Sequence, residues 1–304
     1  MFAWVPGATA KRLLVGSRFA DVRWAHDTGS TNADLCALAA AGASDGVVVV
    51  AEHQRHGRGR LDRTWTAPPG SSLLCSVLLR PHLVPSSAHL LANALGVAVA
   101  EACRAVTGVE VGLKWPNDLM VGGRKLGGIL AESVSAGNHL DAVVVGLGLN
   151  VSWPTDRPTD RPTDRPADRA ADRPSVMPDA RPDAVAAATS LDREGGRDLD
   201  RELLLVAILG CFERLDPRSS TFAHRYRALL TTLGQRVRVD LGGTGGGTDG
   251  GTDGGTVEGT AVDVSPHGHL VVATDDGRRR SFAVGDVVHL RPAPRPCDER
   301  SEPG

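Results

Sequence analysis

From Thr155 the chain reads TDRP, TDRP, TDRP, ADRA and ADRP, and it continues in this manner to about Pro182. Proline at every fourth residue removes backbone donors and fixes φ, so neither a helix nor a sheet ladder can propagate, and alternating Asp and Arg leave nothing apolar to bury. Residues 154–184 are therefore expected to be a disordered insertion, extended where ordered at all. A second tract, GGTGGGTDGGTDGGT at 242–256, lies between two strand-like runs and reads as a flexible lengthening of a hairpin connection. What folds must fold from the remaining residues, about 260 of 304.

That remainder is ordinary globular sequence. With 41% hydrophobic and 23% charged residues overall, a chain of this length can bury roughly 70–75% of its unfolded surface. The 34 basic and 36 acidic side chains give a net charge of −2, which argues against a basic nucleic-acid coat protein but leaves room for a local basic site. No run approaches the roughly 18 apolar residues that cross a bilayer, and MFAWVPGATAKRLLVG lacks the apolar core of a signal peptide. The five cysteines (Cys36, Cys75, Cys103, Cys211 and Cys297) are far apart and never form a CxxC pair, so neither a disulfide framework nor a zinc site is indicated. A cytoplasmic protein with reduced thiols and no membrane contact is expected.

The first block, to Trp153, mixes helical and strand periodicities. Thr31–Ala41 reads as a helix capped by Ser30 or Thr31, followed by a strand at 46–52, a Gly/Arg-rich loop at 53–70, a strand at 71–81 and a buried amphipathic helix at 86–106. VGLKWPNDLMV, KLGGILAESV and LDAVVVGLGLNV then read as three β-rich segments joined by hairpin turns at GGR and SAGNH. Beyond the insertion, 199–215 and 221–233 carry helical periodicity, and short strands with turn signals follow. The expectation is an α+β mixed-sheet domain over 1–234, a small SH3-like β-barrel over 235–292 and a tail at 293–304.

Three motifs carry chemistry. In EHQRHGRGRLDRTW at 52–65, arginines spaced by glycine can fold around phosphate: each guanidinium is a planar donor fork, and each glycine permits positive φ and close backbone approach. A solvated RG loop or an RNA-binding segment is the competing reading. In KWPND at 114–118, Pro116 removes a ladder donor inside an apparent strand and forces irregular backbone where Asn117 and Asp118 must point somewhere. Lys125 follows on the neighbouring strand, where Gly127 and Gly128 leave a face open to a ligand. Lysine is rare here: 31 of the 34 basic residues are arginine, and the only lysines are Lys11, Lys114 and Lys125. Two of them in KWPNDLMVGGRK suggest a compact ammonium that a guanidinium cannot replace. GLGLN at 146–150 lacks the third glycine of a dinucleotide fingerprint, and neither a P-loop nor a GxSxG elbow occurs.

Taken together, GSTN at 29–32, QRHGRGRLDRTW at 54–65, KWPND at 114–118, RKLGGILAE at 124–132 and VVVGLGLN at 143–150 closely resemble biotin protein ligases in order and spacing. The likeness continues more weakly through ATSL at 188–191, LGQRVRV at 233–239 and GDVVHLR at 285–291. The resemblance implies a biotin/lipoate-ligase-like catalytic domain that activates biotin with ATP as biotinyl-5′-AMP and passes it to a lysine of a biotin carboxyl carrier protein. By similarity, Ser30, Thr31, Asn32 and Gln54 would hold the biotin head. Gly57, Arg58, Gly59 and Arg60 would form the biotin and adenylate loop, with Arg63 reaching phosphate and Trp65 near the adenine. Lys125 would contact the carboxylate and α-phosphate oxygens, with Arg58 and Arg60 sharing the catalytic charge. Gly128 and Gly146 would line the ligand, and Asn117, Asp118 and Asn150 would serve the nucleotide. Mg²⁺ is expected only through ATP phosphates, with no protein metal site. Only 28 residues precede Gly29, so no N-terminal helix-turn-helix and no DNA contact are expected. A lipoate or octanoate ligase of the same fold is the nearest rival. A nucleic-acid-binding protein is a distant one, since only eleven Phe, Trp and Tyr residues exist to stack on bases.

Overall fold

The apolar runs that the sequence places between turn signals pair into one sheet. The computed structural model describes residues 7–81, 83–136, 139–152, 188–196, 199–241, 255–283 and 285–290. The expected insertion at 154–184, the tail at 293–304, Cys297 and most of the 242–256 tract lie outside the described residues. The chain divides into two compact units, 1–229 and 230–304.

The first unit is built on seven strands: β1 (Val22–Thr28), β2 (Val48–Gln54), β3 (Ser72–Leu79), β4 (Gly112–Lys114), β5 (Asp118–Val121), β6 (Arg124–Ala136) and β7 (His139–Asn150). Their order is β1-β2-β3-β7-β6-β5-β4, with β1 parallel to β2 and every other neighbour antiparallel. The mixed sheet is as expected. All eight residues of β3 are buried, as befits a central strand covered on both faces.

Two helices cover opposite faces. Helix α2 (Thr31–Ala40) sets Leu35 and Ala39 against Val49, Leu78 and Val144. Helix α3 (His89–Thr107) lies on the other face, where a Cβ at Gly96 would meet Leu113 at 3.3 Å and Ile129 at 3.5 Å. That helix is long and apolar enough to cross a bilayer, but most of it is packed inside the protein, as in a core helix. Register puts Ser76, Gly146 and Leu130 on the α2 face, and with them Gly128, Glu132 and Gly148 one or two alternations away. The apolar half of that face belongs to α2; the glycine-rich half is left for something else.

Several elements differ from expectation for local reasons. VGLKWPNDLMV is two strands, not one: the chain reverses at Trp115–Asn117, and Lys114 pairs with Asp118. The proline ends β4 rather than merely denting it. The short helix α1 (Ala8–Leu13) and edge strand β1 were not anticipated, because six residues are too few for a period and VRWAHDT is only partly buried. Helix α4 (Arg201–Glu213) is capped by Asp200, which accepts from the N–H groups of Glu202 at 2.7 Å and Leu203 at 3.3 Å. Helix α5 (Ser220–Leu229) completes the unit.

Helix α4 is also tied to the sheet by charge. Glu52, 8% exposed, accepts from Arg201 Nη2 at 2.7 Å and from Trp24 Nε1 at 2.8 Å. Arg201→Ala would leave that carboxylate buried with only the indole, and a loss of about 3 kcal/mol is expected. A fall in the urea midpoint with the slope m unchanged is the reading that checks it; an unmoved midpoint would show that solvent already screens the pair.

In the second unit, β8 (Arg236–Asp240), β9 (Thr256–Val264), β10 (Leu270–Ala273), β11 (Arg279–Phe282) and β12 (Asp286–His289) form an antiparallel sheet in the order β11-β10-β9-β8-β12. This is the expected SH3-like module. Asp240 pairs with Thr256, so the glycine tract does join two hydrogen-bonded strands.

Candidate functional site

The start of α2 opens the site. Ser30 stands at the N-cap position in extended conformation but makes no capping bond; Gln54 does that work from the end of β2, its Oε1 accepting from the Thr31 N–H at 2.8 Å. The expected cap by Ser30 or Thr31 is corrected accordingly. Thr31 Oγ1 lies 3.0 Å from Gln54 Oε1 and 2.7 Å from Ser76 Oγ, and Ser76 Oγ donates to Asn32 Oδ1 at 2.5 Å. Two hydroxyl protons cannot serve three contacts at once, so this buried network keeps spare hydrogen-bonding capacity. Asn32 Nδ2 donates to Glu132 Oε2 at 2.7 Å and to the Leu130 carbonyl at 3.2 Å. Its amide sits directly on Gly146, where a Cβ would come within 2.1 Å of Oδ1. Gly146 therefore makes room for Asn32.

The arginine loop is a tight hairpin. Trp65 N–H donates to the Gly57 carbonyl at 2.9 Å, Arg58 and Thr64 form a bridge, and Gly59 N–H donates to the Arg63 carbonyl at 2.6 Å. At the tip, Leu61 and Asp62 both have φ of 55°, the pattern of a two-residue primed turn built without glycine. Of the two freedoms that glycine permits here, Gly57 and Gly59 do not use positive φ. Their role is close approach, since a Cβ at Gly57 would lie 2.3 Å from the Trp65 carbonyl oxygen and one at Gly59 3.2 Å from that of Arg63.

This hairpin leans over an open cavity of about 520 Å³, bounded by Arg55–Thr64, Leu130 and Glu132. Arg58 Nη2 pairs with Glu132 Oε2 at 3.0 Å, and Arg60 Nη1 approaches Asn117 Oδ1 at 3.5 Å. Arg63 also lines the cavity. Trp65 folds under the hairpin onto the glycine face: a Cβ at Gly148 would strike its Cε2 at 2.6 Å, and one at Gly128 would sit 3.6 Å from Cζ3. Its Nε1 is buried with no hydrogen-bond partner among the described residues.

Lys125 stands beside Trp65, outside the residues that bound the cavity. Its Nζ contacts Asp118 Oδ1 at 2.5 Å and lies 5.9 Å from the Trp65 ring centroid. The Thr189 N–H donates to the Lys125 carbonyl at 2.8 Å, and Ala188 bridges to Lys125, so the ATSL segment braces the strand that carries it. Asn117 is engaged with Ile129: its Nδ2 donates to the Ile129 carbonyl at 2.9 Å. Asn150 is not at the cavity. It is 4% exposed, donating from Nδ2 to the Thr189 carbonyl at 3.0 Å and accepting from Ser72 Oγ at 3.2 Å.

Ser76 and Glu132 join the site unannounced by the sequence reading. Both stand on the glycine face by strand alternation, which is the signal that could have found them. At the rim, the hydrogen bond from the His53 ring, with Arg55 nearby, holds the Asp27 carboxyl below the usual carboxylate range. Burial pushes the Cys36 thiol up, with Glu132 adding to it, and pushes Cys75 and Cys103 up to about 12, so none is a neutral-pH nucleophile.

Residues 28–150 match the biotin/lipoate A/B protein ligase family, and residues 250–290 match the biotin protein ligase C-terminal domain. The biotin--[acetyl-CoA-carboxylase] ligase of Mycobacterium tuberculosis is 38% identical over 273 residues, 87% of each chain. The chain belongs to the biotin protein ligase family. The bifunctional ligase/repressor BirA of Bacillus subtilis is 30% identical over 62% of this chain but only 52% of its own length. Among solved structures, the biotin protein ligase of Aquifex aeolicus in complex with biotin and ATP aligns with a TM-score of 0.65 and 25% identity, covering 90% of this chain and 100% of that one. With biotin protein ligases as the named relatives, the lipoate alternative is not favoured.

Proposed function

We propose that this chain activates biotin with ATP, releasing pyrophosphate, and transfers the biotinyl group from biotinyl-5′-AMP to a lysine of a biotin carboxyl carrier domain. One observation carries the reading: the polar network of Thr31, Asn32, Gln54 and Ser76 is tied through Asn32 to Glu132 at the edge of a cavity that Arg58 and Arg60 also line, and the one lysine of RKLGG stands with Trp65 beside Gly128 on the same sheet.

In the first step a carboxylate oxygen attacks the α-phosphorus and the bond to the β,γ-diphosphate breaks. Both reactants are anions, so the enzyme's task is to neutralise and align them. Lys125 supplies a compact charge to carboxylate and α-phosphate oxygens; Arg58 and Arg60, with Arg63, supply planar forks from the hairpin. Ser30, Thr31, Asn32 and Gln54 hold the biotin head, and Gly128 leaves backbone accessible beside Lys125. Trp65, with its indole N–H held in reserve, packs against the nucleotide together with Asn117 and Asp118. Asn150 serves that side indirectly, by fixing the Thr189 segment behind Lys125. In the second step the carrier's amine attacks the acyl carbon and AMP leaves.

Mg²⁺ fits this site only as a companion of ATP. Among the described residues no group of three His, Cys, Asp or Glu side chains gathers; Asp118 and Glu132 are each paired with a cation, and Asp62 stands apart at the hairpin tip. Held by phosphate oxygens, it would add positive charge to the leaving group. A cytoplasmic setting belongs to the same reading, in keeping with the four free cysteines among the described residues.

ATP–pyrophosphate exchange with biotin, lipoate and octanoate offered separately tests the proposal. Exchange above background is expected with biotin alone; exchange driven by lipoate or octanoate instead would reassign the pocket.

A further inference from the structure

Both cations closest to the proposed chemistry are already matched by an acid of the sheet. Lys125 Nζ rests on Asp118 at 2.5 Å, and Arg58 Nη2 rests on Glu132 Oε2 at 3.0 Å. The two acids belong to one surface: Asp118 is the cross-strand partner of Gly128, and Gly128, Leu130 and Glu132 alternate along the same face of β6. Glu132 is the less explained of the two. It stands at the cavity edge on a strand whose cross-strand partner there is the buried Val144, so packing alone does not call for a charge. Its one neutral task is to accept from Asn32 Nδ2, which a glutamine oxygen would do as well. What a carboxylate adds there is a charge to match that of Arg58.

Arg58 is built to be held loosely. Its side chain is 46% exposed and that of Glu132 is 27% exposed, so water screens the pair and little is lost when it opens. It rides on a hairpin whose tip, Leu61–Asp62, places two non-glycine residues in the left-handed region, a conformation that costs free energy.

We infer that Glu132 is a positioning residue: it stands in for the ligand's anion, keeping Arg58 over the cavity while the site is unfilled and yielding it to the carboxylate or α-phosphate that enters. The inference rests on the reading of Arg58 as an anion-binding residue. It reverses the sign expected of a structural acid. Removing a support weakens binding, whereas removing a competing anion strengthens it and also lifts the repulsion felt by an incoming negative charge.

The test is binding of biotinol-5′-AMP, an unreactive phosphodiester mimic of the adenylate, measured by titration calorimetry at low and high salt. Glu132→Gln is expected to lower Kd about three- to tenfold at low salt, with the gap narrowing as salt rises. In an Arg58→Ala background the same substitution should no longer tighten binding by that factor. An unchanged or raised Kd in Glu132→Gln, or tightening in the Arg58→Ala background as large as with Arg58 present, overturns the inference. Because a variant can misfold, the wild-type complex gives an independent reading: Arg58 must leave Glu132 for the ligand's phosphate, and an intact Arg58–Glu132 pair in the complex overturns the inference as well. If the wild-type protein neither binds the mimic nor supports biotin-dependent exchange, it is the proposed function that fails.

Discussion

Lys125→Ala is expected to reduce biotin-dependent pyrophosphate exchange about a hundred- to a thousandfold while the protein still folds. The magnitude is that of removing one preorganised charge aimed at oxygens whose negative charge must be neutralised for the reaction to proceed. The fold should survive because the backbone at this position is fixed from both sides independently of the side chain. Met120 is its cross-strand partner, and the Thr189 N–H bonds its carbonyl at 2.8 Å. The side chain itself is 39% exposed, so little core is lost. Lys125→Arg is the discriminating companion. A guanidinium restores the charge but spreads it over a planar fork, and should recover only a small part of the rate if a point charge is what carboxylate and phosphate share. Exchange within tenfold of the wild type in Lys125→Ala, with unfolding unchanged, would remove Lys125 from the chemistry. The residue left behind matters too: Asp118 loses its partner, so Lys125→Ala with Asp118→Asn separates loss of the cation from the added cost of an uncompensated acid.

What the sequence could show depended on how local the physics was. The arginine hairpin, the WPND interruption and the glycines of β6 and β7 are visible because each breaks a periodicity that its neighbours keep. Ser76 hides in the run SSLLCSVLL, where strand-forming residues surround it, and only the alternation that puts it opposite Gly146 marks it as part of a polar face. Glu132 is concealed in the same way at the end of RKLGGILAE. The partners of Asn150 were out of reach for a different reason. Thr189 lies 39 residues on, beyond the proline-rich tract, and nothing local connects the two. The hairpin tip shows the limit of turn rules: Leu61 and Asp62 adopt the conformation that Asn-Gly would usually supply, held there by the Gly59–Arg63 and Trp65–Gly57 backbone bonds. The paired acids illustrate a third limit. Sequence spacing shows where cations are placed, not which carboxylates will already occupy them.

The adjacent glycines of β6 should separate fold from function. Gly127 and Gly128 point to opposite faces of the sheet, and their surroundings differ sharply. A Cβ at Gly127 would lie 2.6 Å from the Gly148 carbonyl oxygen and 2.9 Å from Leu119 Cδ1. The first contact is backbone of a central strand, which cannot move without opening the β6–β7 ladder, and Leu119 is fully buried, so its side chain has little room to give. Gly127→Ala is expected to destabilise the first unit by about 3 kcal/mol, at the upper end of what overpacking usually costs. That is a large part of the stability of an ordinary domain. A Cβ at Gly128 would meet only Trp65 at 3.6 Å and the Lys125 side chain at 3.8 Å, which are ordinary contacts. Gly128→Ala should therefore unfold at nearly the wild-type denaturant concentration. It nevertheless puts a methyl group between the indole and the ammonium on the face assigned to the ligand, and an increase of about tenfold in the KM for biotin is expected from displacing a fitted group. Equal stability of the two variants would show that Gly127 is not packed as described. A Gly128→Ala enzyme with unchanged KM would mean that biotin and its adenylate lie elsewhere than across β6.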